Sequence, residues 1–138
     1  MEYCCRVLEW LYLDEKSFED AYVSLCLPRL SSPFVRSELA ACDILNSSFR
    51  LDTCAWYQSA LSVEGDHPVI VHLIPSIVDR VVLPFLIDVT VDEWDPFSLK
   101  QCIQLSTLLR TIINEYPSMT PKSKALRRLL DSIINAFQ

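Results

Sequence analysis

Residues 75–94 read Pro-Ser-Ile-Val-Asp-Arg-Val-Val-Leu-Pro-Phe-Leu-Ile-Asp-Val-Thr-Val-Asp-Glu-Trp. Ile77, Val78, Val81, Val82, Phe85, Leu86 and Val89 recur three and four positions apart, the spacing that stacks side chains along one face of an α-helix. Leu83 and Ile87 widen that face toward both flanks. A segment this apolar is predicted to lie between neighbouring helices and not merely on top of one. Asp79, Arg80 and Asp88 interrupt it too often for a membrane span, and no other stretch is long and apolar enough to make one. Pro84 is expected to bend the helix within a continuous stripe. The elements on both sides are then layers packed on this one.

The chain has 138 residues, of which 51% are apolar, and a single glycine, Gly65. That length builds one domain, residues 1–138, around a real core without disulfides or metal. So few glycines leave almost no material for phosphate-cradling turns or tight hairpins, and an all-α fold needs few of either. The architecture expected is a multi-helix stack or an irregular bundle of antiparallel helices punctuated by prolines. The formal net charge is −6. Acidic residues crowd positions 88–95, whereas Lys122, Lys124, Arg127 and Arg128 form a basic patch. General nucleic-acid binding is usually announced by a net basic surface, so the patch is first a solvated helix face and second a contact for an acidic partner or a phosphate backbone.

Six cysteines are present, but Cys4 and Cys5 are adjacent and cannot converge on one ion as a CxxC pair does. Cys26, Cys42 and Cys102 lie among apolar residues, and Cys54 begins a helix. No signal-peptide pattern is visible, and all are expected as small buried hydrophobes in a reducing compartment.

Outward from the central segment, residues 3–13 form a helix with Val7, Leu8 and Leu11 inward. Tyr3, Trp10 and Tyr12 exceed what so short a helix buries. Either they cap the core, or upstream sequence, a partner or a second copy covers them. Ser17 restarts the helical pattern with Asp20 as a weak capping box, and Phe18, Ala21, Tyr22, Leu25 and Cys26 share one stripe. Pro28 ends or bends that helix, while Ser32 before Pro33 starts the next, with Phe34, Val35, Leu39, Cys42 and Leu45 inward and Asn46 to Ser48 at its end. Asp52 caps a short helix through Ala60 or Leu61, with Trp56 or Tyr57 inward. Gly65, Asp66 and Pro68 mark the loop best suited to insertion. Val69 to Leu73 is predicted as helix, since no second strand exists to pair with it. Asp95 and Pro96 close the central element, and Ser98 with Gln101 forms a capping box. Cys102, Leu105, Leu109, Ile112, Ile113 and Tyr116 form the next stripe, and Pro117 stops it. Thr120 and Pro121 repeat the cap-then-proline device before Leu126, Leu129, Leu130, Ile133, Ile134 and Phe137. These last two helices are expected to pair antiparallel.

No constellation supports catalysis. His67 and His72 are the only histidines, and His72, in an apolar segment, is expected at the core or its boundary. Asp92, Glu93 and Asp95 lack the alternation of a calcium loop and read as helix-end carboxylates. No glycine-rich phosphate loop and no basic strand interleaved with aromatics is present. The residues call for no cofactor and no metal.

Two stretches carry a resemblance. Asp20-Ala21-Tyr22-Val23-Ser24-Leu25-Cys26-Leu27-Pro28-Arg29-Leu30, continued by Ser32-Pro33-Phe34-Val35-Arg36, resembles the central motif of the GC-rich sequence DNA-binding factor-like domain family. Leu73-Ile74-Pro75-Ser76-Ile77-Val78-Asp79-Arg80-Val81-Val82-Leu83-Pro84, followed by Glu93-Trp94-Asp95-Pro96-Phe97-Ser98, is similar to a second block of that family, with the pair Trp56-Tyr57 between them. The likeness covers most of residues 15–115 in order. Relatives carry a tryptophan, an acidic or amide residue and a proline where this chain has Cys42-Asp43-Ile44, so the helix could continue there. The family domain is longer, which implies an excised piece or a shortened paralogue.

The resemblance implies a nuclear, largely helical, non-enzymatic scaffold associated with pre-mRNA splicing, particularly intron-containing late complexes. Its partners would be spliceosomal or intron-complex proteins, with a G-patch or helicase-associated factor among the candidates. The alternative is a transcription regulator contacting DNA or RNA through the C-terminal basic patch. Within the matched motifs, Tyr22 and Leu25 would anchor the first helix, Pro28 and Pro33 would fix changes in direction, and Trp94 would close the central helix. Partner contact is assigned to Arg29, Arg36, Lys122, Lys124, Arg127 and Arg128, and a homodimer contact to Trp10 and Tyr12.

Overall fold

The computed structural model describes residues 2–63, 68–116 and 123–138. Its elements are α1 (Glu2–Leu13), α2 (Glu15–Asp20), α3 (Val23–Ala41), a 3-10 turn (Leu51–Thr53), α4 (Ala55–Leu61), α5 (Pro68–Val71), α6 (Leu73–Ile77), a π turn (Val78–Val82), α7 (Leu83–Asp92), α8 (Leu99–Glu115) and α9 (Lys124–Ala136). No strand occurs among the described residues, and the fold is an all-α multi-helix arrangement.

The stretch from α6 through α7 is the buried rod that its periodicity predicts. Ile77, Val78 and Leu83 are inaccessible to solvent, Val81, Val82, Leu86, Ile87 and Val89 are buried, and Phe85 is partly buried against them. Thr90 fits this face because its Oγ1 donates to the Leu86 carbonyl at 2.8 Å, leaving no polar atom unpaired. The π turn has a local cause. Pro84 has no N–H to give the carbonyl four residues back, and its ring would crowd that carbonyl in a regular helix. One widened turn relieves the clash, and Leu83 N–H donates five residues back to Val78.

α3 packs on α6 and on the π turn, α4 on α3 and α6, and α9 along α7. α3 departs from the sequence expectation, since it runs unbroken through Pro28 and Pro33. Each proline removes one backbone donor, but Leu27, Ser31, Val35 and Leu39 form a fully buried stripe at four-residue spacing. That burial outweighs two lost hydrogen bonds. Ser31 Oγ donates to the Leu27 carbonyl at 2.8 Å, which lets a serine sit inside the stripe.

Several local expectations are corrected. Asp14, not Ser17, caps α2, its carboxylate accepting the Ser17 N–H at 3.1 Å. The stripe across Tyr22 does not form, because Tyr22 takes the left-handed conformation at φ 53° and breaks the helical phase between α2 and α3. Only Phe18 of that stripe is buried; Tyr22 is 69% and Leu25 56% exposed, so neither is an anchor. α3 ends at Ala41, with Cys42 extended, so no helix continues through Cys42-Asp43-Ile44. Cys26 and Cys42 are exposed, Cys102 is half-buried and Cys54 is buried. Phe34 and His72 are exposed as well.

The expected capping box of α8 is replaced by a longer reach. Gln101 Oε1 accepts the Asp95 N–H at 2.8 Å, and Asp95 Oδ1 accepts the Phe97 N–H at 3.0 Å. The turn through Asp95 and Pro96 is therefore held by side chains. The caps expected at Thr120 and Pro121 lie outside the described residues. α9 starts on Ser123, whose Oγ accepts the Leu126 N–H and donates to Asp79 Oδ1 in the π turn. α9 packs along α7, and its C-terminal Phe137 meets Trp94 just ahead of α8, so the last two helices face one another in opposite directions, as expected, across a shared groove.

Candidate interaction surface

An open groove of about 400 Å³ lies between α8 and α9. Leu105, Leu109 and Ile113 supply the α8 wall, and Leu130, Ile133 and Phe137 the α9 wall. Trp94 forms one end, with Phe137 edge-on to it at 5.5 Å. Ser106, Arg110 and Asn114 line the polar rim on α8. Leu130, Ile134 and Phe137 are 40%, 56% and 64% exposed. Hence the apolar face of α9 is buried only along Leu126 and Leu129. Ile103 and Leu99, also exposed, extend the apolar surface along the outside of α8.

The side chains behind this surface are held by long-range hydrogen bonds that the local sequence does not announce. Gln104 is buried under the opposite face of α8, and its Nε2 donates to the Ile44 and Phe49 carbonyls at 3.2 and 3.1 Å. It ties α8 to the loop after α3. The Tyr57 and Tyr116 hydroxyls pair at 2.8 Å, joining α4 to the end of α8. Burial, then the Tyr57 hydrogen bond, pushes the Tyr116 phenol well above its ordinary value. Glu38 of α3 accepts the Ala55 and Trp56 N–H groups, so it, and not Asp52, caps α4. Asp52 instead pairs with Arg50 at 2.8 Å. Burial and then the Glu38 charge raise the Cys54 thiol from 9.0 to about 11.

The residues singled out in the sequence do not gather at one place. Trp10 and Tyr12 are exposed on α1, and Trp10 meets Phe18 edge-on at 6.0 Å. α1 contacts α2 and α3, whereas α9 contacts α7 and the π turn, so the aromatic and basic surfaces belong to different parts of the fold. Arg29 is exposed on α3. Arg36 Nη2 reaches Asp88 Oδ2 at 3.2 Å and links α3 to α7. Lys124, Arg127 and Arg128 are exposed on α9, and Lys122 lies outside the described residues, as does His67. Asp92, Glu93 and Asp95 are exposed after α7. Of the motif residues, Pro28, Trp56 and Trp94 are buried and Pro84 is half-buried. His72 and Arg80 line a smaller hollow of about 260 Å³ between α3 and α5–α6. Among the described residues no group of three His, Cys, Asp or Glu could hold a metal ion, and no helix is long and apolar enough to cross a membrane.

The groove itself went unread in the sequence. Leu105, Leu109, Ile113, Leu130, Ile133 and Phe137 are all legible as apolar helix faces, and an apolar face reads as core until its neighbour is known. One signal was available. The apolar arc of α9 includes Leu130 and Ile134 at its edge and is broader than one packed helix covers.

No protein-family model matches the chain. Among individual proteins, it is 34% identical over 110 residues to human PAX3- and PAX7-binding protein 1, covering 75% of this chain and 12% of that protein. It is 27% identical over 135 residues to mouse Intron Large complex component GCFC2, covering 91% of this chain and 18% of that one. Transcriptional repressor ILP1 of Arabidopsis thaliana is 26% identical over 136 residues, 93% of this chain and 15% of the relative. The chain thus spans less than a fifth of the length of the relatives it matches. These relatives are named for binding, for membership of a complex and for repression, and none is named as an enzyme. The chain belongs to the GC-rich-factor-like family that these proteins represent.

Proposed function

We infer that this chain is a non-enzymatic protein–protein interaction module of a nuclear protein working in pre-mRNA splicing, within intron-containing late complexes. The observation that carries the reading is the open apolar groove between α8 and α9, beside a core to which both helices also give buried residues. An apolar groove left open between two helices is a shape into which a partner's side chains can pack. The names of the relatives supply the setting, through an intron complex and through PAX3 and PAX7 binding. Immunoprecipitation of the protein from nuclear extract is the test. Co-recovery of intron-complex proteins, including a G-patch or helicase-associated factor, is expected. A folded protein that recovers none of them overturns the reading.

A second reading has its own support in the exposed Lys124, Arg127 and Arg128 and in the relative named a transcriptional repressor. It makes the chain a transcription regulator that touches DNA or RNA through α9. Affinity for duplex or single-stranded nucleic acid that falls steeply with salt would favour it, since phosphate contacts release counterions. The net charge of −6 weighs against it.

A further inference from the structure

We propose that the hollow between α3 and α5–α6 is a second contact site, which takes a phosphorylated serine or threonine of a partner protein together with an aliphatic neighbour in the partner's chain. It rests on the interaction-module reading for the existence of a partner and is independent of the α8–α9 groove. Size limits the occupant first. At about 260 Å³ the hollow is smaller than the pockets that enclose drug-sized ligands, and it has room for one or two side chains.

Its polar groups all stand on one wall. His72, Ser76 and Arg80 follow one another at four-residue steps along α6 and into the π turn. In a regular helix each such step drifts around the axis, whereas the widened turn takes up more residues per revolution and brings Arg80 closer in line with Ser76. A long side chain on a helix also leans toward the preceding turn, here toward Ser76. A guanidinium, a hydroxyl and an imidazole offer more donors than a carboxylate has oxygens, and they suit the three free oxygens of a phosphate monoester. Among the described residues no carboxylate lines the hollow, and none pairs with His72 or Arg80. The neighbouring Asp79 already accepts the Ser123 hydroxyl, and Asp88 is paired with Arg36. The other wall is apolar, made by Leu25 and Pro28 of α3 and Val69 of α5, and Leu25 is left 56% exposed. That wall selects the aliphatic neighbour. No aromatic ring lines the hollow to stack a base, so a nucleic-acid phosphate is the poorer fit.

Two pools of short synthetic peptides with random flanks test the site, one fixed on phosphothreonine at its centre and the other on threonine. Passed over the immobilised chain, the phosphorylated pool should be retained at least about tenfold more strongly, by a margin that shrinks as salt rises. Leucine, isoleucine or valine should be enriched beside the phosphothreonine of the retained peptides. Arg80→Glu should abolish the difference between the pools, and Ser76→Ala and His72→Ala should each reduce it about threefold or more. Arg80→Lys should keep part of it, because the charge remains and the forked hydrogen bonds do not. Leu25→Ser should leave the preference for phosphate and erase the preference for an aliphatic neighbour. Circular dichroism confirms that the variants fold. Equal retention of the pools, retention of neither, or a difference unmoved by Arg80→Glu overturns the proposal. So does inorganic phosphate that binds as tightly as the retained peptides, or a single-stranded RNA that binds more tightly and depends on Arg80. The two readings fail separately. If intron-complex proteins are recovered and the pools are retained equally, the module stands and the phosphate site does not. If the pools behave as expected and no such protein is recovered, the phosphate site stands and the splicing setting does not.

Discussion

Glu38 acts on α4 from another helix, as a cap residue usually acts on its own. Its two oxygens take the Ala55 and Trp56 N–H groups at the positive end of α4 and hold Trp56 against the core. Glu38→Ala is expected to cost about 1–2 kcal/mol in urea unfolding, with Glu38→Gln costing less because one acceptor remains. The same carboxylate helps keep the Cys54 thiol protonated, so Glu38→Gln should also bring that thiol down from about 11 toward 9.0. A thiol whose pKa is raised by folding contributes stability that is whole below the unfolded value and lost as pH climbs through the folded one. Stability should therefore hold to about pH 9 and fall between 9 and 11, more gently in Cys54→Ala, with Tyr116 adding a fall of the same sign. Alkylation gives a second reading of these environments. Cys26 and Cys42, exposed, should react with iodoacetamide well before Cys54. At this scale sequence was a poor guide to the cysteines, because apolar neighbours in the chain do not decide which way a side chain turns once Tyr22 breaks the helical phase.

Helices were legible where apolar residues repeat for several turns, as in the central rod, α8 and α9. They were misread where a local breaker met a stronger tertiary demand. Pro28 and Pro33 are good stop signals in isolation, but the Leu27–Ser31–Val35–Leu39 stripe overrides them. Pro84 predicts a departure from regular helix, and the structure has a widened turn just before it, with Val78 and Leu83 both inward. Caps were the least legible feature, since Asp14, Glu38 and Ser123 do work that the nearest serine or aspartate pattern assigned elsewhere. Ser123 is the clearest case for measurement, because it caps α9 and bonds the π turn at Asp79. Ser123→Ala should destabilise the chain by about 1–2 kcal/mol. A double-mutant cycle with Asp79→Asn should show strong coupling, since the two side chains share one hydrogen bond. Additive effects would mean that α9 is docked by its apolar face alone.

For the whole molecule, fold class followed from one buried segment, whereas the candidate site depended on which helices met. The sequence pairs α8 with α9 as consecutive long helices; that α9 also packs along α7 and that a groove stays open between α8 and α9 depend on tertiary contacts the local pattern does not carry. Core and surface should separate sharply in mutagenesis. Ile77→Ala, at the solvent-free centre, should cost about 2–5 kcal/mol, and Leu99→Ala, exposed at the start of α8, should stay within about 0.5 kcal/mol. We propose a separate self-interface at the exposed Trp10 and Tyr12, which Trp10→Ala tests by light scattering. An unchanged mass would argue against it. The central claim is that this helical body presents α8 and α9 to an intron-complex protein. Crosslinking mass spectrometry of the protein in nuclear extract tests it most directly, because Lys100 on α8 and Lys124 on α9 report from the two helices that form the groove. Crosslinks from these two lysines to a spliceosomal protein are the expected result. Crosslinks to such proteins only from Lys16 on α2, or none at all from the folded protein, would contradict the account.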